Sequence, residues 1–78
     1  MNETQAFNLA TIELARAESL HDWSNVSLDQ ATLNLIEEAG EFVQAVNNYR
    51  EGKGTKEQIQ IELTQLMAMC LRTFKTQF

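Results

Sequence analysis

Seventy-eight residues make one small domain, and below roughly 80 residues a single core rarely supplies more than about 3 to 5 kcal/mol without a disulfide, a metal or self-association. Cys70 is the only cysteine, which excludes a disulfide within the chain and leaves metal binding and oligomerisation. A net charge of −5 argues against a nucleic-acid polymer as partner, no apolar run approaches the roughly eighteen residues of a membrane span, and Met1-Asn2-Glu3-Thr4 lacks the basic and apolar regions of a signal peptide, so a cytoplasmic protein is expected.

Proline is absent and glycine occurs three times, so breakers are few and long helices are expected. The first runs from about Glu3 to Leu20. Phe7, Ala10, Leu14 and Ala17 form its apolar stripe, Leu9, Ile12 and Leu20 widen it, and Asn2 or Thr4 caps its start. The polar stretch His21-Asp22-Trp23-Ser24-Asn25-Val26 then carries the single histidine and the single tryptophan. Ser27 with Gln30 fits a capping box and Val26 can staple onto Ala31, which predicts that the second helix begins near Leu28.

Leu28, Ala31, Leu35, Phe42, Val46 and Tyr49 share one face of that helix, and Glu38 stands on the same face where an apolar residue would continue it. The helix should end at Arg50-Glu51, with Gly52 in the left-handed position beyond it. Thr55 and Gln58 repeat the capping-box pattern and open a third helix, whose predicted core stripe is Ile59, Leu63, Leu66, Cys70 and Phe74 with Met67 and Phe78 at its border. Cys70, between Met69 and Leu71, reads as a reduced thiol in the core or a subunit interface. Glu62 sits at the edge of that seam and Gln65 one turn further along. A short turn joins antiparallel neighbours. The expected fold is therefore all-α, an antiparallel three-helix unit that completes a four-helix-type bundle by forming a homodimer or homotetramer.

The chemistry concentrates in Glu37, Glu38 and Glu41, embedded in an otherwise apolar helical run. Like charges at i, i+3 and i, i+4 repel by roughly 0.2 to 0.5 kcal/mol per pair, and a carboxylate in a core seam is costly unless it is paired, protonated or bound to metal. A hard cation such as Mg²⁺ offsets both, because it takes oxygen ligands from carboxylates and leaves its other positions to water or phosphates. Antiparallel packing of the second and third helices would add Glu62 to Glu38 and Glu41.

Glu37-Glu38-Ala39-Gly40-Glu41, followed one helix later by Glu62-Leu63-Thr64-Gln65, resembles the EExxE and ExxD motif pair of the MazG-like all-α nucleoside triphosphate pyrophosphohydrolases. The resemblance covers roughly Trp23 to Phe74, so residues 1–78 read as a single MazG-like helical domain. It implies Mg²⁺-dependent, house-cleaning hydrolysis of a (deoxy)nucleoside triphosphate to monophosphate and pyrophosphate. Carried over, Glu38, Glu41 and Glu62 match metal ligands, Glu37 and Glu38 are the catalytic carboxylates, and Gln65 falls on the remaining metal position.

That position is aspartate in the family. A neutral amide offers a carbonyl oxygen but no charge, so the resemblance carries an alternative, a catalytically impaired nucleotide-binding or oligomeric module. It also implies that Trp23 meets the nucleobase, as aromatics just ahead of the central helix do in relatives, with His21 in the same pocket. Lys53 and Lys56 would meet phosphate oxygens from the loop, and Arg72 or Lys75 from the third helix. Relatives often continue into a further helix that contributes to nucleotide binding; the resemblance then implies either that a partner subunit supplies those contacts or that the function has been lost.

Overall fold

The computed structural model describes residues 1–78 as three helices and no strand: α1 (Glu3–Leu20), α2 (Leu28–Arg50) and α3 (Lys56–Gln77). No helix is long and apolar enough to cross a membrane.

Each helix begins at the residue whose side chain can accept from the first turn. Asn2 accepts from the Gln5 N–H while the Gln5 side chain accepts from the Asn2 N–H, both at 2.9 Å. Thr55 and Gln58 exchange the same pair at 3.2 and 3.1 Å. At Ser27 only half of the expected box forms. The Ser27 hydroxyl accepts from the Gln30 N–H, but the Gln30 amide donates instead to Asn34 Oδ1 one turn on.

The α2–α3 turn closes as its glycine predicts. Lys53 N–H donates to the Asn48 carbonyl and Gly52 N–H to the Tyr49 carbonyl, at 2.8 and 3.1 Å, and Gly52 has φ +76°. An L side chain at that φ is strained. Gly52→Ala is accordingly expected to lower stability by about 1 kcal/mol, roughly 4 to 8 °C in melting temperature for a domain of this size; circular dichroism melts check it.

Packing is uneven. α3 lies closely against both α2 and α1, whereas no Cα of α1 comes within 8 Å of one in α2. The protein core is consequently thin: of eight buried residues five are alanines, Ala10, Ala17, Ala31, Ala45 and Ala68, joined by Leu14, Met69 and Arg72. Small side chains let the helices approach closely but exclude little apolar surface from water. The radius of gyration is 13.2 Å, against about 11.5 Å for a compact chain of this length.

The face of α3 that packs differs from the expected stripe. The buried residues are Ala68, Met69 and Arg72, while Leu63, Cys70 and Phe74 are exposed. Because α3 must touch a helix on each side, its contact arc centres on the small Ala68. The line through Leu63, Cys70 and Phe74 is turned outward, so Cys70 is a surface thiol in this chain.

Candidate functional site

Two turns of α2 and one of α3 bring three carboxylates together. Glu38 and Glu41 stand one turn apart on α2, and the antiparallel run of α3 sets Glu62 opposite them, with one oxygen from each of the three within 4.8 Å of the others. Glu38 Oε2 and Glu62 Oε2 are both buried and have no hydrogen-bond partner. Buried polar atoms are nearly always satisfied, so two orphaned oxygens in one cluster mark a place where a cation fits.

The electrostatics agree with the geometry. Desolvation pushes the Glu38 carboxyl above its ordinary 4.5, and the charges of Glu41, Glu62 and Glu13 push it the same way. Glu62 is raised for the same reason, burial first and then Glu41. Folded protein thus binds protons at Glu38 and Glu62 more tightly than unfolded chain does. In the interval just above 4.5 the native state holds more protons, so stability falls as pH rises through it. Glu13 acts oppositely. The hydrogen bond from Arg16 lowers it, and its contribution is lost only as pH falls below 4.5. The metal-free protein is therefore expected to melt at a higher temperature near pH 5 than at pH 7, and Mg²⁺ should flatten the difference. A melting series with chelator and with Mg²⁺ measures both.

Beside this cluster the gap between α1 and α2, floored by α3, forms a cleft of about 300 Å³. Glu37, Glu38 and Asn34 line it from α2, Glu13, Arg16 and Ala17 from α1, and Gln65, Met69 and Arg72 from α3. Trp23 and His21 close one end. Their loop is held by the Asp22 carboxylate, which accepts from the Ser24 N–H, and by the Gln77 amide of α3, which donates to the Val26 carbonyl at 2.7 Å. The His21 and Trp23 rings lie 5.3 Å apart, and the Arg72 guanidinium sits over the other ring system of this corner, 3.7 Å from the Trp23 centroid.

Of the residues singled out from sequence, Glu37, Glu38, Gln65, Trp23 and His21 thus share one cleft, while Glu41 and Glu62 line a separate depression and meet the cleft only through Glu38. Lys53 and Lys56 do not share it. Lys53 lies in the turn after α2, pairing with Glu51 at 3.3 Å, and Lys56 is the first residue of α3; Arg50, where α2 ends, is already twelve residues, roughly 18 Å of helix, beyond Glu38. Lys75 is bound to Glu18 at 3.0 Å on the far side of Trp23. The cations that line the cleft are Arg16 and Arg72. Arg72 carries a legible signal, since Glu62, Gln65, Met69 and Arg72 follow one another at i, i+3, i+7 and i+10, three polar groups along one face of an apolar helix. Arg16 had none, because α1 reads there as an ordinary solvated turn.

No family model, curated protein or solved structure matches the chain.

Proposed function

We propose that this protein is a Mg²⁺-dependent nucleoside triphosphate pyrophosphohydrolase of the MazG-like kind, a cytoplasmic, self-associating helical enzyme of the house-cleaning type. The observation that carries the reading is the convergence of Glu38, Glu41 and Glu62 from two helices within 4.8 Å, two of them with a buried, unpartnered oxygen. Those three carboxylates would hold the ion. When bound, Mg²⁺ would neutralise phosphate charge and lower the pKa of a coordinated water, easing its deprotonation by a neighbouring base.

The rest of the work falls to the chain. Glu37, exposed on the rim of the cleft next to Glu38, accepts the proton that the attacking water loses. Water oxygen joins the α-phosphorus, the bond to the bridging oxygen breaks, and pyrophosphate leaves with that electron pair. Trp23 would stack against the base, and stacking of that kind is worth about 1 to 3 kcal/mol. The cleft between α1 and α2 is where the substrate would enter.

Gln65 favours a second reading. It lines the cleft one turn from Glu62 and brings no charge, so a weakly active or inactive nucleotide-binding module is the alternative. The deciding experiment incubates purified protein with Mg²⁺ and a panel of canonical and modified (deoxy)nucleoside triphosphates, with inorganic pyrophosphatase added to convert pyrophosphate to detectable phosphate. Mg²⁺-dependent release from some member of the panel is the expected result. Silence across the panel from folded protein would sink the enzyme reading. Gln65→Asp is expected to raise turnover by restoring a fourth carboxylate; an unchanged rate would show that the amide is suited to the site as it stands.

A further inference from the structure

α1 carries one carboxylate on its packing face. Glu13 stands three residues after Ala10, four before Ala17 and next to Leu14, all of them buried, so the rotation that packs α1 on α3 also turns Glu13 inward. Its side chain is 16% exposed. Arg16 takes both of its oxygens, Nε donating at 2.8 Å and Nη2 at 2.5 Å, yet the Arg16 side chain is itself 55% exposed. The acid of this pair lies in the seam and the base lies at the rim. The hydrogen bond from Arg16, opposed by burial, lowers the Glu13 carboxyl below its ordinary 4.5, so Glu13 is charged at neutral pH.

Glu13 faces the acidic cluster from the helix that contributes none of its members. With Glu38 it lines the cleft between α1 and α2, and with Gln65 it lines both that cleft and a second hollow between α1 and α3. Glu13 is not among the three carboxylates that come within 4.8 Å of one another. Its charge nevertheless opposes ionisation of Glu38, after desolvation and the nearer charges of Glu41 and Glu62. Such repulsion between helices works against the metal-free protein, and a cation among the carboxylates turns it into attraction. Mg²⁺ keeps several of its waters, so a carboxylate too far off to touch the ion still acts on it through them.

We propose that Glu13 is an outlying fourth carboxylate of the cation site, supplying from α1 the charge that Gln65 does not bring from α3, with Arg16 as the counter-ion it exchanges for the metal. The inference rests on Glu38, Glu41 and Glu62 being the ligands, and it adds to them a positioning residue rather than another ligand. Arg16 reaches Glu13 along the surface of a single helix, so the exchange needs a change of rotamer and no movement of a helix.

Cation affinity needs neither nucleotide nor turnover. The experiment titrates Mn²⁺ into the full chain, follows free ion by electron paramagnetic resonance, and displaces it with Mg²⁺; the proteins are wild type, Glu13→Gln, Arg16→Met and Glu38→Gln. Glu13→Gln should weaken binding on the order of 10-fold, whereas Arg16→Met, which removes the competitor and leaves the carboxylate, should tighten it. Both variants break the same ion pair, so a merely structural role would move their affinities together. Adding Gln65→Asp to Glu13→Gln returns a carboxylate to the same wall and should restore the affinity.

Equal affinity in folded Glu13→Gln and wild type, with binding lost in Glu38→Gln, would overturn the assignment and leave the three-carboxylate site standing. Affinities that fall together in Glu13→Gln and Arg16→Met would also overturn it, as would a double variant no tighter than Glu13→Gln. No saturable binding of Mn²⁺ to wild type up to about 10 mM would remove the cation site itself, and Glu13's role with it.

Discussion

Glu38→Gln is expected to abolish Mg²⁺-dependent turnover while making the metal-free protein more stable. The two effects have one cause. Glu38 stands in a seam where desolvation, Glu41 and Glu62 all oppose its charge, so the native state tolerates the carboxylate only at a cost. The amide relieves repulsion from two neighbouring carboxylates, roughly 0.5 kcal/mol on the scale of like-charged helix pairs, or about 2 to 4 °C. Function moves the other way. Removing one preorganised electrostatic contact at a reacting centre commonly lowers kcat by about 10² to 10³, and here the contact is one of only three carboxylates able to hold the ion.

Two measurements on the same preparations make the prediction sharp, the melting temperature in chelator and the rate of pyrophosphate release. Stability up with activity gone is the signature of a charge kept for function. If activity persists, Glu38 is not a ligand. Should stability drop instead, Glu38 is a structural residue whose carboxylate the fold uses, and the orphaned Oε2 has been misread.

The helices were legible in the sequence because each boundary is chemical. Asn2, Ser27 and Thr55 stand where a side-chain oxygen must meet a free N–H, and Gly52 stands where the backbone turns left-handed. The acidic cluster was legible too, since the carboxylate at Glu38 interrupts an apolar seam and a short antiparallel turn carries Glu62 back towards it. The rotation of α3 was not. Ile59, Ile61, Leu63, Leu66, Met67, Met69, Cys70, Leu71 and Phe74 surround that helix with apolar residues on every side, so periodicity alone does not choose a face. The choice falls to close approach at Ala68, a property of two surfaces meeting rather than of one strip of sequence. The fate of Arg72 went with it. Its place on the Glu62, Gln65 and Met69 face is legible in the sequence, but only the packed structure shows its donors to be covered and unanswered.

Self-association carries the second large expected effect. Thirteen large apolar side chains are exposed on a chain whose core is mostly alanine. Along α2, Leu33, Ile36, Gly40 and Val43 follow at i, i+3, i+7 and i+10, and the three with side chains are 53, 62 and 54% exposed. Gly40 sits in the middle of this line, inside a helix, where glycine is worse than alanine by about 1 kcal/mol, and a Cβ there would meet nothing within 4 Å. Nothing in the same chain uses the space. A second copy laid across α2 would, and a stable interface of about 800 Å² per partner is on the order of one-seventh of the 5591 Å² that this chain exposes.

Wild-type protein is accordingly expected to sediment as a dimer or tetramer, with a melting temperature that rises with concentration. Ile36→Asp would place an unpaired carboxylate in that interface, at about 3 to 5 kcal/mol. That is comparable to everything a core of this size supplies, so dissociation and loss of the cooperative melt should come together. Gly40→Ala separates the causes. In a helix face open to water the extra methyl raises stability, whereas at a helix crossing it holds the partner off and weakens association. Analytical ultracentrifugation of the three proteins decides between them: a wild type that stays monomeric at every concentration, with Ile36→Asp melting alongside it, would mean that this face is simply solvated and that the alanine core suffices alone.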